Sequence, residues 1–147
     1  MVAVLYWYIK QAERTQRHTF QPKNIRATDW GAGIHEPGTQ QQFYGRTEEL
    51  ATLTNWCLDR RCRTISLIGM GGMGKSALAW EFAHQVECHF DFTIWRSLLN
   101  PPSAAELCSD LLRFLMPHSI GELPASIDGQ ITLLIERLKR NRCLLIF

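Results

Sequence analysis

Short apolar runs alternate, along most of the chain, with longer stretches in which apolar residues recur every three or four positions. The apolar runs predict buried β-strands at 64–68, 90–98 and 143–147. The periodic stretches predict amphipathic helices at 47–57, 75–86, 103–115 and 127–138. Strands that alternate with helices in this way predict an α/β fold with a parallel sheet and right-handed crossover connections.

Residues that favour helix ends support these elements. Thr47 is placed to cap the first helix, and Glu48 and Glu49 carry negative charge near its positive end. Ser103 is placed to cap the third helix, and Pro117 ends it. The capping chemistry therefore agrees with the hydrophobic pattern.

The first 42 residues differ in character. Residues 2–9 form an apolar run that predicts a strand or the last piece of an upstream element, and the run is too short to span a bilayer. Residues 10–26 are basic and polar, which favours a solvated face or a mobile tail over a nucleic-acid contact. Residues 29–42 predict a linker rich in Gly and Gln, in which Trp30 is expected to be a partly exposed aromatic, with docking on a neighbouring surface as the alternative. We therefore divide the chain into a tail and linker at 1–42 and a domain at 43–147.

Composition limits the classes of function. The chain has 147 residues, which suits one domain or part of one, and its formal net charge of +2 is too small to indicate binding to nucleic acid or to a membrane. Its five cysteines are scattered and odd in number, as expected of free thiols in a reducing cytoplasm. The spacing of Cys57, Cys62, His84 and Cys88 matches no zinc-binding pattern.

The clearest chemistry lies in the stretch Gly69-Met70-Gly71-Gly72-Met73-Gly74-Lys75-Ser76. It fits the phosphate-loop pattern G-x-x-x-x-G-K-[ST] and stands between a predicted strand and a predicted helix, as that loop requires. Glycines let the backbone wrap phosphates with its N–H groups, and a helix that opens at Lys75 directs its positive end towards them. Lys75 supplies a point charge for the outer phosphates, and Ser76 supplies a hydroxyl ligand for Mg²⁺.

A glycine-rich turn without a ligand is the alternative interpretation of this stretch. The four fixed positions of the pattern match by accident in roughly one chain of this length in two hundred, given ordinary glycine content. The strand–loop–helix setting makes an accidental match rarer still. Nucleotide binding is therefore the favoured prediction.

Two segments together resemble the NB-ARC and related STAND switch ATPases. The segment Phe43-Tyr44-Gly45-Arg46-Thr47-Glu48-Glu49-Leu50 looks like the short motif ahead of their phosphate loop, and GMGGMGKSALA at 69–79 is similar to their form of that loop. Residues 90–95 resemble their second strand, and the DWG and WRSL sequences look most like bacterial, cyanobacterial-like members that often continue into WD repeats. The resemblance covers 43–147 and implies a P-loop NTPase fold with three αβα layers.

This resemblance implies a cytoplasmic switch that is closed with ADP and opens with ATP to assemble with partners. Phe43, Tyr44, Gly45 and Arg46 would lie by the adenine and ribose, although Arg46 has a second interpretation as a cap or as a partner of Glu49. The residues implied at the phosphates are Gly69, Gly71, Gly72, Met73, Gly74, Lys75, Ser76 and Ala77, with Ser76 also at Mg²⁺. Ala77 stands where relatives often have threonine, and it offers no hydroxyl to the inner phosphate.

The resemblance also implies parts that lie beyond residue 147. In relatives, acidic Walker B residues directly follow an apolar strand such as 143–147, and a later strand lies between it and the loop strand. We therefore expect a truncated domain that is marginally stable, does not hydrolyse ATP alone, and has a gap or a collapse at the centre of its sheet. The implied partners are C-terminal domains of the same protein, and self-assembly through the switch domain is left open.

Three functions follow as hypotheses. The first is an ADP- or ATP-binding, Mg-dependent module of a STAND-type signalling switch. The second is a competent P-loop ATPase or phosphotransferase that uses acids elsewhere in the chain, for which Asp110 and Asp128 are the available aspartates after the second strand. The third is a non-catalytic protein-interaction fragment with a vestigial phosphate loop.

Overall fold

A computed structural model describes residues 3–8, 27–31, 43–117 and 123–147. Its strands are β1 (Ala3–Tyr8), β2 (Ala27–Asp29), β3 (Thr64–Leu67), β4 (Phe92–Trp95) and β5 (Cys143–Ile146). Its helices are α1 (Thr47–Thr54), α2 (Lys75–Val86), α3 (Ala104–Leu115) and α4 (Ile127–Arg140). α1 continues into a π-helical turn at Asn55–Asp59, and α2 continues into a 3-10 turn at Glu87–His89. The predicted alternation of strands and helices from β3 to β5 is confirmed.

The helix starts show where capping chemistry was predicted correctly and where it was not. The Ser103 hydroxyl accepts a hydrogen bond from the Glu106 N–H at 3.3 Å, and the Glu106 carboxylate accepts one from the Ser103 N–H at 2.8 Å. Ser103 therefore caps α3 as expected, in a reciprocal capping box. The prediction that Thr47 caps α1 is wrong, because Thr47 is already helical and Arg46 occupies the N-cap position.

Both faces of the sheet are covered by helices. In β5, Leu144 and Ile146 pack in a core cluster with side chains of α1 and α2, such as Leu53 and Phe82. Alternate residues of the same strand pack in a second cluster with α3 and α4, as Leu145 does with Leu112. A strand buried on both faces explains the continuous apolar run at 143–147. The α/β class with αβα layers is confirmed.

The strand order in the sheet is β2-β4-β5-β1-β3. β2, β4 and β5 are parallel, whereas β1 runs antiparallel to both of its neighbours. Leu5 of β1 is in register with Ile65 of β3 on one side and with Ile146 of β5 on the other. The expected gap or collapse at the centre of the sheet is therefore wrong, because the apolar run near the N-terminus supplies a strand between β3 and β5.

β2 covers the end of the predicted tail and the first residue of the predicted linker, where the sequence predicted no strand. β2 pairs in parallel with β4, and the partly buried Trp30 beside it packs against the core cluster of α1 and α2. Trp30 therefore docks on a neighbouring surface, which was the alternative to a linker aromatic. β2 itself was not predicted, because a three-residue strand on a sheet edge leaves no periodic pattern in the sequence. The basic segment at 10–26 and most of the predicted linker lie outside the described residues, and the domain boundary at 42/43 stays a prediction.

None of the helices in the described ranges has both the length and the apolar character needed to cross a membrane.

Candidate functional site

The phosphate-loop stretch connects β3 to α2. Gly72 and Gly74 have φ angles of 78° and 74°, in the left-handed region that other residues adopt only with strain. Gly74 is the N-cap of α2 and, because it has no side chain, it leaves the helix start without a side-chain cap. The backbone N–H groups in the first turn of α2 therefore have no capping side chain, which is the arrangement that binds anions at helix N-termini.

Lys75 is the first residue of α2 and is held by the loop itself. Its ammonium donates hydrogen bonds to the carbonyl oxygens of Gly69 at 2.8 Å and Met70 at 2.7 Å. Ser76 follows in the first helical turn and is exposed. The structure thus brings the cation and the hydroxyl of the sequence pattern to one helix start.

Arg46 connects the start of α1 to the loop. Its guanidinium Nη2 donates a hydrogen bond to the Met73 carbonyl oxygen. The backbone reaches this position through a tight turn, in which Gly45 and Arg46 have φ angles of 77° and 54°. A non-glycine residue in this region is unusual, so the contact with Met73 coincides with a strained backbone position.

A cavity of about 560 Å³ lies between α1 and the loop. This volume is in the range of sites for small organic ligands. Its lining consists of residues from α1, β3 and the loop, namely Arg46, Glu48, Glu49, Thr52, Leu53, Trp56, Ser66, Leu67, Ile68, Gly69, Met73, Lys75 and Leu78.

Sequence reasoning missed the contribution of α1 to this cavity. Glu49, Thr52, Leu53 and Trp56 are spaced as one face of a helix. Leu53 and Trp56 were interpreted only as part of the apolar pattern that predicts the helix at 47–57, although Trp56 keeps 39% of its surface exposed. The sequence did contain a sign of this role, because Trp56 follows Glu48 and Glu49 in the same predicted helix and a large aromatic side chain near carboxylates is suited to contact a ligand.

The predicted base-binding residues separate in the structure. Arg46 lines the cavity, whereas Phe43 packs against the core and Tyr44 is 79% exposed, and neither is part of the lining. Of the predicted phosphate residues, Gly69, Met73 and Lys75 line the cavity. The others follow on the same loop or in the first turn of α2, namely Gly71, Gly72, Gly74, Ser76 and Ala77.

The aspartates considered for catalysis lie elsewhere. Asp110 accepts a hydrogen bond from the Arg96 guanidinium at 2.5 Å, and Asp128 is exposed in the first turn of α4. Neither lines the cavity beside the phosphate loop. Within the described ranges, no three His, Cys, Asp or Glu side chains come together as a metal site.

The comparison with protein families decides the classification of the chain. Residues 46–147, which run from the arginine beside the loop to the end of the chain, match the NB-ARC domain. The chain belongs to the NB-ARC family. As an NB-ARC domain, this part of the chain is a nucleotide-binding module of the signalling NTPase class. The phosphate loop, the cation at α2 and the cavity beside α1 all fall within the matched residues.

One relative extends the comparison beyond the NB-ARC match. The chain is 33% identical over 145 residues to an uncharacterized WD repeat-containing protein from Nostoc sp. PCC 7120. The alignment covers 93% of this chain, so it also includes residues before the start of the NB-ARC match. The chain spans 11% of the length of that relative. No solved structure shows a significant match.

Proposed function

We propose that residues 43–147 bind ADP or ATP with Mg²⁺ and form the nucleotide switch of a STAND-type signalling ATPase. The observation that carries this proposal is the convergence of left-handed glycines, an uncapped helix start and Lys75 at one end of a cavity of ligand size. Each of these features favours a phosphate group on physical grounds.

The phosphates would be held by the loop backbone and by Lys75. An incoming phosphate oxygen can replace the Gly69 and Met70 carbonyls as acceptor for the Lys75 ammonium, since both contacts are exposed. Ser76 would provide the hydroxyl that faces Mg²⁺, which shields charge between the outer phosphate groups when it is bound. Gly69, Gly71, Gly72, Gly74 and Ala77 belong to the same proposal through their positions in the loop and the first turn of α2.

The base and ribose would occupy the part of the cavity that α1 walls. Trp56 offers an aromatic surface there, and Arg46 lies at the junction with the loop. Phe43 and Tyr44 remain proposed contacts of the base, on the strength of the resemblance alone. Several side chains of α1 line the cavity beside the loop, whereas residues 43–45 do not.

Calorimetric titration of the 147-residue chain with ADP tests the proposal. Lys75→Ala removes a charge-assisted hydrogen bond worth about 1.5–3 kcal/mol, so affinity for ADP should fall roughly tenfold to a hundredfold. Lys139→Ala is the matched control, because Lys139 is an exposed lysine of α4. Equal ADP affinity of the Lys75→Ala and Lys139→Ala variants would contradict the assignment.

The other two functions make different predictions in the same experiment. A vestigial loop would give no ADP binding to the wild-type chain. A competent ATPase would release phosphate in a Lys75-dependent way, although the positions of Asp110 and Asp128 away from the cavity argue against these two as its catalytic acids.

We propose that the longer protein containing this NB-ARC domain also carries WD repeats and acts in the cytoplasm. The support for the WD repeats is the relative from Nostoc, which is a WD repeat-containing protein about nine times as long as the region that this chain matches. The free cysteines support the cytoplasm, because it is a reducing compartment. Self-assembly through the NB-ARC domain is part of the same proposal. Sequencing of the coding region on both sides of these 147 codons tests the WD-repeat part, because it shows directly whether such repeats are encoded.

A further inference from the structure

Residues 27–31, which we call the clip, lie against the sheet ahead of the matched NB-ARC residues. The backbone of β2 pairs with the edge of β4 that faces away from β5, with Ala27 opposite Phe92 and Asp29 opposite Ile94. The Ala27 N–H donates a hydrogen bond to the Asp91 carbonyl at 3.1 Å. The clip therefore completes an edge of the sheet that would otherwise present unpaired backbone groups.

The first side-chain contact of the clip is an ion pair. Asp29 accepts a hydrogen bond from the Arg96 Nη2 at 2.6 Å, and the same guanidinium donates to Asp110 of α3 through Nε. Arg96 is further fixed because its N–H donates to the Ile146 carbonyl at 2.8 Å. Only 14% of the Arg96 side chain is exposed, so its guanidinium is largely buried beside β4 and directs Nη2 towards Asp29 of the clip.

The second contact is an aromatic slot on α2. The Trp30 ring stacks on the His84 ring with centroids 4.3 Å apart and an interplanar angle of 1°. Trp80, one turn earlier on α2, lies with its centroid 4.4 Å from that of Trp30 and contacts Trp95 of β4 in turn. Two rings, those of His84 and Trp80, thus contact Trp30, and this favours a large flat side chain at this position.

The third contact admits only glycine. Gly31 has a φ of 68°, and a Cβ atom at this position would lie 2.8 Å from the Trp95 carbonyl oxygen. The Gly31 N–H also donates to the Asp29 carboxylate at 2.9 Å, which closes a turn directly after β2. A side chain at position 31 would therefore push the clip away from β4.

We propose that the edge of β4, Arg96 and the Trp80–His84 face of α2 form a recognition site for a short strand of sequence Asp-Trp-Gly, and that the clip is its intramolecular occupant. Backbone pairing with β4 supplies affinity, as in other cases of strand addition. The contacts that require Asp29, Trp30 and Gly31 supply specificity. The clip fastens the N-terminal part of the chain to the helix that follows the phosphate loop. This assignment does not depend on nucleotide binding.

A peptide competition on the full chain tests the site. The probe is a fluorescein-labelled peptide with the sequence of residues 25–34, measured by fluorescence anisotropy. Covalent linkage gives the clip an effective concentration in the millimolar range, so the wild-type chain should bind the probe at least about tenfold more weakly than a variant with a disabled clip. The disabled variant carries Asp29→Ala and Trp30→Ala, and the control is Thr28→Ala, since Thr28 is the exposed residue of β2.

The proposal requires that the probe binds the Asp29→Ala, Trp30→Ala variant, and that a probe with both residues replaced by alanine does not. Equal binding to the wild-type and disabled chains, or binding to neither, would overturn it. Concentration-dependent dimers that form with the wild-type chain but not with the Asp29→Ala, Trp30→Ala variant would also overturn it, because they would show that the clip pairs with a second copy.

Hydrogen exchange gives an independent measurement of the docked clip, first on the wild-type chain and then on one variant. The amides of Ala27 and Asp29, which face β4 because backbone groups alternate along a strand, should exchange at least about tenfold more slowly than in an unfolded reference if the clip is paired with β4. Gly31→Val should remove this protection while the amides of Cys143–Ile146 keep theirs. Unprotected amides at Ala27 and Asp29 in the wild-type chain would exclude the docked clip.

Discussion

Arg46 was interpreted from the sequence as a contact for the base, and the structure gives it a second role. Its guanidinium donates to the Met73 carbonyl in the middle of the phosphate loop, while its backbone forms the N-cap of α1. The residue therefore fixes the position of the loop relative to the helix that walls the cavity. A residue that orders the loop affects every nucleotide with phosphates, whatever the base.

Arg46→Ala should therefore weaken the binding of ADP and GDP by similar factors. A hydrogen bond from a charged group contributes about 1.5–3 kcal/mol, which corresponds to a loss of roughly tenfold or more in each affinity. Calorimetric titrations with both nucleotides measure the two factors, and Arg113→Ala on the exposed side of α3 is the control. A loss confined to ADP would instead support the base contact that the sequence suggested.

The cysteines differ in reactivity because burial differs at each thiol. Burial raises the pKa of Cys57 and of Cys143 to about 12, so at pH 8 only about one molecule in ten thousand carries either thiolate. Cys88 is exposed. Iodoacetamide at pH 8, followed by peptide mass mapping, should therefore label Cys88 first and Cys57 and Cys143 last. Labelling of Cys57 at the rate of Cys88 in the folded chain would contradict the buried placement.

At the scale of elements, the sequence predicted those that carry their own signals. α3 has a hydrophobic stripe and a capping residue, and the structure confirms both. β5 has an uninterrupted apolar run, and both of its faces are buried. β2 has neither a hydrophobic pattern nor a capping residue. Its three residues are held in place by pairing with β4 and by the contact of Asp29 with Arg96. Elements of this kind depend on tertiary contacts and cannot be recognised in a local window.

The cap of α3 provides a quantitative check at this scale. Ser103→Ala removes the side-chain oxygen that accepts the Glu106 N–H, and loss of such a cap typically costs about 1 kcal/mol of stability. Ser103→Asp keeps an acceptor at the N-cap and should retain most of the stability. Urea unfolding of both variants measures the difference. Equal stability of the alanine variant and the wild-type chain would show that α3 does not depend on its cap.

At the scale of the whole molecule, the order of strands was the part that sequence reasoning got wrong. The parallel strands and their helices followed from periodicity, whereas the place of β1 did not, because an apolar run shows that a strand is buried but not which edges it joins. The phosphate loop was predictable because its chemistry is contained in eight consecutive residues. The cavity was predicted only in part because it combines the loop with a face of α1 from another part of the chain.

The position of β1 between β5 and β3 makes it sensitive to loss of a single backbone donor. Leu5→Pro removes one N–H from a strand with neighbours on both sides, and such backbone changes destabilise by on the order of 2 kcal/mol or more. Hydrogen exchange should show faster exchange in both β3 and β5 in this variant. Unchanged protection in these two strands would contradict the placement of β1 between them.

The pairing of Leu5 with Ile146 joins residues from opposite ends of the chain. β1 is synthesised first, yet its partner on one side emerges only when residues 143–146 leave the ribosome. At ordinary rates of translation this interval is roughly ten to thirty seconds, during which the apolar segment has no partner in β5. Contacts of such large sequence separation also form slowly, because the intervening chain must close first. The sheet therefore stays incomplete until residues 143–146 have emerged, and its closure is a late step in the folding of this part of the chain.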